Sequence, residues 1–289
     1  MVSLIVGIHG IAQQQLGRRQ LVTLWEPSLG DGVEAALGQR VAELPFDLAY
    51  YGRLFLDAGE PAKARTKGAI GNQDLAELPA AELQELLAAG EEAAGAEAMQ
   101  AAEAQAPKGY TRVPVSLQMV FRALDWRYGP GAALLFASSF RQVRHYLSNQ
   151  DLKSQIDAIV RDAVTAQCRV LVGHSLGSVV AFEFVRQHAE QRLDLLLTVG
   201  SPLGARFVRA LMPDASHGVK DGLPQGVGAW VNVRDPRDPV AFAGNLSRRW
   251  PGAQDFTVDN GGDAHAVNRY LGKRQTGAAM LAALPELAR

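Results

Sequence analysis

Apolar positions along this chain follow two rhythms. Short, mainly apolar runs at residues 2–8, 46–51, 169–172, 195–199, 229–233 and 255–258 read as strands, and the continuous run 2–8 as one buried on both faces of a parallel sheet. Between several of them the spacing turns helical. Val33, Ala36, Leu37, Val41 and Leu44 predict a helix over 32–44, and similar patterns predict helices over 152–164 and 178–188. Strand and helix in alternation predict an α/β fold, a mostly parallel sheet with helices on both faces.

The alternation stops near Asp57 and resumes only after Gln150. Residues 1–56 and 151–289 therefore form the expected core, and 57–150 a largely helical cap or lid inserted into it. Within the insertion, Leu75, Leu78, Leu83, Leu86 and Leu87 would line one face of a helix beginning near Pro79. The alanine-rich stretch 88–106 offers little with which to build a core; it is expected to be mobile, either as a solvated helix or as a lid. The cluster Leu134, Leu135, Phe136 and Phe140 reads as a cap over the mouth of a site.

Composition narrows the class. With 289 residues, 47% hydrophobic, 20% charged and a net charge of -1, the chain describes a soluble globular protein with an ample core and no global nucleic-acid footprint. A single cysteine, Cys168, excludes an intramolecular disulfide and reads as a buried thiol, and no metal or cofactor is expected. Residues 1–8 are apolar without a basic leader and read as a first strand, not a secretion signal. No run is long enough to span a membrane, so stable membrane insertion is not expected and a cytoplasmic location is. Charge is also patterned inside the insertion. Residues 72–106 carry acidic side chains, among them Glu82, Glu85 and Glu92, with no lysine or arginine, whereas 108–150 carry Lys108, Arg112, Arg122, Arg127, Arg141 and Arg144. The two halves are complementary.

The candidate chemistry begins at Gly173-His174-Ser175-Leu176-Gly177, between a predicted strand and a predicted helix. The bare string is equally a tight turn, but that context makes it a nucleophile elbow, with Ser175 on a strained backbone and glycines relieving the crowding. A serine hydroxyl needs a base to take its proton and a carboxylate to orient that base. Asp235 and Asp238 lie just past a predicted strand. Asp238 is the preferred acid, because Asp235 has a plain alternative as a turn-initiating aspartate before Pro236. His265, in a loop after the last predicted strand, is the expected general base; His145, His188 and His217 have surface or helix-end accounts. An oxyanion would be met by the backbone N–H of Leu176 and that of Gly10 or Ile11. His9, His174 and Ser201 are read as supporting residues, and Arg248-Arg249 as a solvated basic pair.

Through His9-Gly10, the Gly-His-Ser-Leu-Gly elbow, Gly200-Ser201-Pro202-Leu203, Asp238-Pro239-Val240 and His265, in that chain order, the sequence resembles the α/β-hydrolase superfamily, and more narrowly its lipase and serine-esterase branch. The resemblance does not extend over 57–150. It implies an α/β-hydrolase fold and an enzyme cleaving a small-molecule ester or acyl substrate through an acyl-enzyme, with substrate choice set by the cap. A thioesterase or acyltransferase would use the same triad, and a non-catalytic ligand-binding protein is a rival of another class. An interfacial lipase is disfavoured by the acidic stretch, which anionic membranes would repel.

Overall fold

A computed structural model of the chain describes residues 3–10, 13, 16–55, 75, 78–104, 110 and 113–288. Its main sheet has six parallel strands: β1 (Ile5–Ile8), β2 (Phe46–Ala49), β3 (Val170–His174), β4 (Leu193–Val199), β7 (Val227–Arg234) and β8 (Ala253–Thr257). Their spatial order is β2-β1-β3-β4-β7-β8, and a two-stranded hairpin of β5 (Val219–Lys220) and β6 (Leu223–Pro224) stands apart. Because β1 connects outward to β2 while β3 returns to its other side, the order reverses between β1 and β3. The crevice beyond the carboxyl ends of these two strands is where such sheets bind ligands. Each of the six predicted strands is present, shifted or trimmed by a few residues.

Period-two alternation sorts the strand side chains to the two faces. Ile5, Val170, Val172, Leu195 and Leu197 pack against α1 (Arg18–Leu37), α8 (Val267–Leu271) and α9 (Arg274–Ala283). Val6, Ile8, Leu171 and Leu196 pack against α5 (Gln150–Ala163) and α6 (Leu176–Gln187). Asn149 caps α5, its side chain accepting from Leu152 N–H at 3.0 Å. This is the α/β-hydrolase fold. Among the described residues no helix is long and apolar enough to cross a membrane.

The helix expected over 32–44 lies earlier, and its displacement has a physical reason. Pro27 reads as a breaker, yet it sits on the exposed face of α1, where the carbonyl it leaves unbonded meets water. The stripe Leu21, Trp25, Leu29 and Val33 buries against the sheet and outweighs that loss. The helix ends at Gly38, φ 80°, and the extended segment beyond it is held by α1 glutamates: Glu34 accepts from Val41 N–H at 3.0 Å and Glu26 from Leu44 N–H at 2.8 Å.

Residues 80–104 and 113–148 form a helical layer of α2 (Ala80–Glu103), α3 (Val115–Tyr128) and α4 (Ala132–Ser148). Here the expectation of a solvated alanine helix is corrected. Ala89, Ala93, Ala94, Ala98 and Ala102 are buried against Leu117, Val120, Phe121 and Leu124 of α3. Small side chains let the two helix backbones approach closely, and a Cβ at Gly90 would come within 2.4 Å of Val120 Cγ1. Alanine is thus the packing element, while bulk comes from α3 and α4. The charge pattern is also realised in contacts: Arg141 meets Glu82 at 2.9 Å and Arg144 meets Glu85 at 2.7 Å, tying α4 to α2. Glu82 is thus largely covered, while Glu91, Glu97 and Glu103 of the same helix remain exposed.

Helix α4 bridges two cores. Its Phe136 and Phe140 belong to the helical layer, and its Val143, Tyr146 and Leu147 belong to the sheet core. Further chain holds the layer down: Phe136 meets Phe242 at 5.7 Å between ring centroids, Phe140 meets Phe207 at 4.8 Å, and Glu92 reaches Arg206 and Arg249 at 3.6 and 3.8 Å. Arg249, expected to be solvated, also donates to Gly204 O at 2.6 Å. Cys168 is buried, and burial pushes its thiol up to about 12.

Candidate active site

Strand β3 ends at His174 and α6 begins at Leu176, which leaves Ser175 alone to turn the chain. It does so at φ 54° and ψ −126°, a region that costs a non-glycine residue roughly 1–3 kcal/mol. The surroundings enforce the turn. A Cβ at Gly177 would come within 2.0 Å of Ile8 O, and one at Gly10 within 2.7 Å of Ser175 Cβ, so both neighbours must be glycine for β1 and the elbow to pack. Ser175 is fully buried, and its Oγ has no hydrogen-bond partner among the described residues.

His265 follows β8 in a loop and reaches back to the elbow. Its Nδ1 lies 2.7 Å from Asp238 Oδ2, and its Nε2 is buried without a hydrogen-bond partner among the described residues. A carboxylate accepts only, so Nδ1 carries the proton and Nε2 presents a lone pair. Asp238 is itself fixed, its Oδ1 accepting from Val240 N–H at 2.8 Å. The competing carboxylate has the other role. Asp235 opens a turn closed by Asp238 N–H donating to Asp235 O at 3.1 Å, with Pro236 second in the turn. Its side chain accepts from Arg237 N–H at 2.8 Å and Asn260 N–H at 2.5 Å, binding the Asp238 loop to the His265 loop.

Two further histidines brace the site in neutral form. His174 Nε2 donates to His265 O at 2.9 Å, and the rings lie 4.6 Å apart; burial, with the His265 ring beside it, holds His174 well below the usual imidazole range. His9 donates from Nδ1 to Gly10 O at 2.8 Å and accepts Tyr51 N–H on Nε2 at 3.1 Å, with the Tyr51 ring stacked 4.0 Å away. With both nitrogens satisfied in one neutral tautomer, burial lowers His9 to about 4. Ser201 Oγ contacts Ser178 Oγ at 2.7 Å, and Ser178 Oγ contacts Ser175 O at 2.6 Å, linking the loop after β4 to the elbow.

Of the anticipated oxyanion donors, Leu176 is the first residue of α6, where an N–H has no carbonyl four residues back within the helix. Gly10 abuts Ser175, and Ile11 lies outside the described residues. His145, His188 and His217 stand apart, His145 beside Asn149 and His188 beside Glu190. Among the described residues there is no cluster of three or more His, Cys, Asp or Glu fit for a metal. A cavity of about 810 Å³ lies under α9 against β4, β7 and β8, lined by Arg169, Val231, Phe256 and Ala279, and includes none of the residues above.

Two neighbours escaped the sequence reading. Tyr270, on α8, donates to Asp238 Oδ2 at 2.8 Å, but in sequence it is simply an apolar-face residue of a short helix that was not anticipated. Tyr128 ends α3, and the charge of Asp238, after burial, helps to push it up to about 12.

Residues 106–225, which include the elbow, match the lecithin:cholesterol acyltransferase family. No curated protein and no solved structure is detectably similar to the chain.

Proposed function

We propose that the protein is a serine hydrolase that cleaves carboxylic ester bonds through an acyl-enzyme on Ser175. One observation carries the reading: a buried serine hydroxyl on a strained elbow and a buried imidazole Nε2 both lack partners, while the other imidazole nitrogen is bound to a carboxylate. Unpaired buried polar atoms cost about 1–3 kcal/mol each, so two within one site point to a task that requires them free. His265 Nε2 takes the Ser175 proton as Oγ attacks the ester carbonyl. The N–H of Leu176 and that of Gly10 or Ile11 receive the oxyanion. The proton passes to the leaving alkoxide, and a water activated by the same nitrogen then releases the acid. Asp238 holds the tautomer and faces the imidazolium that forms.

In this reading the helical segment within 57–150 is a cap that selects the acyl group, its Phe136 and Phe140 meeting Phe242 and Phe207 of the core. The family match supports a second reading, in which an alcohol replaces water as acceptor and the product is a new ester. A thioester substrate would use the same steps. Intact-mass detection of labelling by a small fluorophosphonate tests the nucleophile: one adduct on the wild-type chain, absent from Ser175→Ala, is expected. A wild-type chain that remains unlabelled overturns the assignment. Product analysis with added alcohol separates hydrolysis from transfer.

A further inference from the structure

We propose that Tyr270 is a positioning residue that sets how strongly Asp238 holds the proton of His265, and so the pH at which the site becomes active. The inference rests on the serine-hydrolase reading and deepens it. Asp238 Oδ2 accepts two hydrogen bonds, from His265 Nδ1 at 2.7 Å and from Tyr270 Oη at 2.8 Å. Tyr270 Oη in turn accepts Asp235 N–H at 2.9 Å, which directs its one proton at Asp238 and polarises it. The ring is fully buried, and its hydroxyl is held well above the ordinary tyrosine range by burial and by the charge of Asp238, so it remains a donor at every working pH.

The consequence follows from sharing. A donor on the oxygen that faces the imidazole withdraws charge from it, and an imidazolium gains less from that oxygen. Without the phenol, Asp238 holds the His265 proton more tightly, and a higher pH is needed to free Nε2. The phenol also fixes the carboxylate plane, because Val240 N–H holds Oδ1 while Tyr270 holds Oδ2. Gly200, φ 55°, leaves the room this requires; a Cβ there would come within 2.9 Å of Asp238 Oδ2 and 3.0 Å of the Tyr270 ring. The other titratable or charged groups facing the pair are His174 from β3, Tyr128 from α3, and Asp235 and Arg237 from the Asp238 loop. His174 stays neutral, and Arg237 is engaged with Asp235 and Asp259.

The test compares wild-type protein, Tyr270→Phe, and protein carrying 3-fluorotyrosine at position 270, which keeps the ring packing and strengthens the donor. The readout is kcat and KM for p-nitrophenyl butyrate from pH 5 to 9, with active sites counted by fluorophosphonate labelling. Tyr270→Phe is expected to move the acid limb of kcat/KM up by about one pH unit and to lower the plateau kcat about tenfold with KM little changed. Fluorotyrosine is expected to move the limb down. A residue that served packing alone would reduce the count of active sites and leave the limb in place. Labelled enzymes whose limbs coincide overturn the role of Tyr270 alone; a wild-type chain that neither labels nor turns over overturns the serine-hydrolase reading and this inference with it.

Discussion

The sheet core and the helical layer of residues 80–104 and 113–148 solve the packing problem in opposite ways. In the core, β-branched and leucine side chains fill both faces of the parallel strands, and glycine appears where backbone must touch backbone, as Gly10 and Gly177 do around Ser175. In the layer, alanines of α2 let one helix settle against another, and charged pairs hold α4 to α2. The first arrangement is intolerant, since it fixes Ser175, Asp238 and His265 on the ends and loops of strands that cannot shift independently. The second is packed as closely, since Gly90 has no room for a Cβ against Val120, but its helices stand outside the hydrogen-bonded ladder of the sheet. Under the proposed function, chemistry stands on the sheet and selectivity on the layer, so a change of substrate need not cost the mechanism.

The largest effect separates the two regions most cleanly. Ser175→Ala is expected to lower turnover on the order of a millionfold with unchanged thermal stability, or a slight gain as the unpaired hydroxyl disappears. Asp238→Asn should follow at roughly ten-thousandfold, since an amide can present an N–H to Nδ1 and favour the wrong tautomer. Steady-state kinetics beside a thermal melt checks both. If a substitution confined to the α2–α3 interface cost turnover as much, the division drawn above would fail.

Acid should act on the core before the layer. His9 sits at about 4 in the folded protein against 6.5 when unfolded, so the unfolded chain takes up its proton first as pH falls. The native state is then penalised progressively from pH 6.5 down to about 4, by roughly 3 kcal/mol in all, and above pH 6.5 the group contributes nothing to the slope. His174 is shifted in the same direction by burial and adds to the slope. Urea denaturation at pH 7.0 and 4.5 should show the loss, and His9→Gln, whatever its absolute stability, should show a shallower dependence. Equal slopes in the two proteins would remove His9 from this account.

The legibility of the chain follows the same division. Strands buried on both faces announce themselves, because β1, β3 and β4 are dominated by valine, leucine and isoleucine. Asp238 and His265, each placed in sequence after a strand, meet at 2.7 Å, and the choice of Asp238 over Asp235 turned on Pro236, which is second in the turn that Asp235 opens. The helices of the layer were readable, down to the start near Pro79, but the packing of the alanines was not, for a definite reason. Alanine is ambiguous: it suits a solvated helix and a close helix contact equally, and only the facing Val120, Phe121 and Leu124 decide which. Tyr270 was hidden because its hydroxyl acts across 32 residues of chain on a group whose place depends on the fold. Helix α1 runs earlier than expected because the stripe Leu21, Trp25, Leu29 and Val33 carries it across Pro27, which lies on its exposed face.

Enlarging an alanine tests the layer directly. Ala98→Leu places three more carbon atoms where α2 meets α3 and is expected to cost about 1–3 kcal/mol, to alter the preferred acyl length of p-nitrophenyl esters, and to leave fluorophosphonate labelling intact. Loss of labelling would mean that the layer is part of the catalytic support and not a separable cap.

The smallest effect concerns what holds the layer to the core. Glu92 on α2 lies 3.6 Å from Arg206 and 3.8 Å from Arg249, and its carboxylate also receives Arg206 N–H at 3.4 Å. Arg206 is 78% exposed, so the attraction acts largely through water and is worth about 0.2–1 kcal/mol, a range that salt near 0.1 M already screens. Glu92→Gln should therefore barely move the melting temperature. Its effect on opening is more visible, because a population shifts about fivefold for each kcal/mol. If the layer lifts to admit substrate, fluorophosphonate should label wild-type protein faster as salt rises, and Glu92→Gln faster still at low salt, by up to about fivefold, with little further response to salt. Labelling rates that are equal and insensitive to salt in both proteins would show that this contact does not gate the site, leaving the aromatic pairs of Phe136 and Phe140 with Phe242 and Phe207 to hold the layer in place.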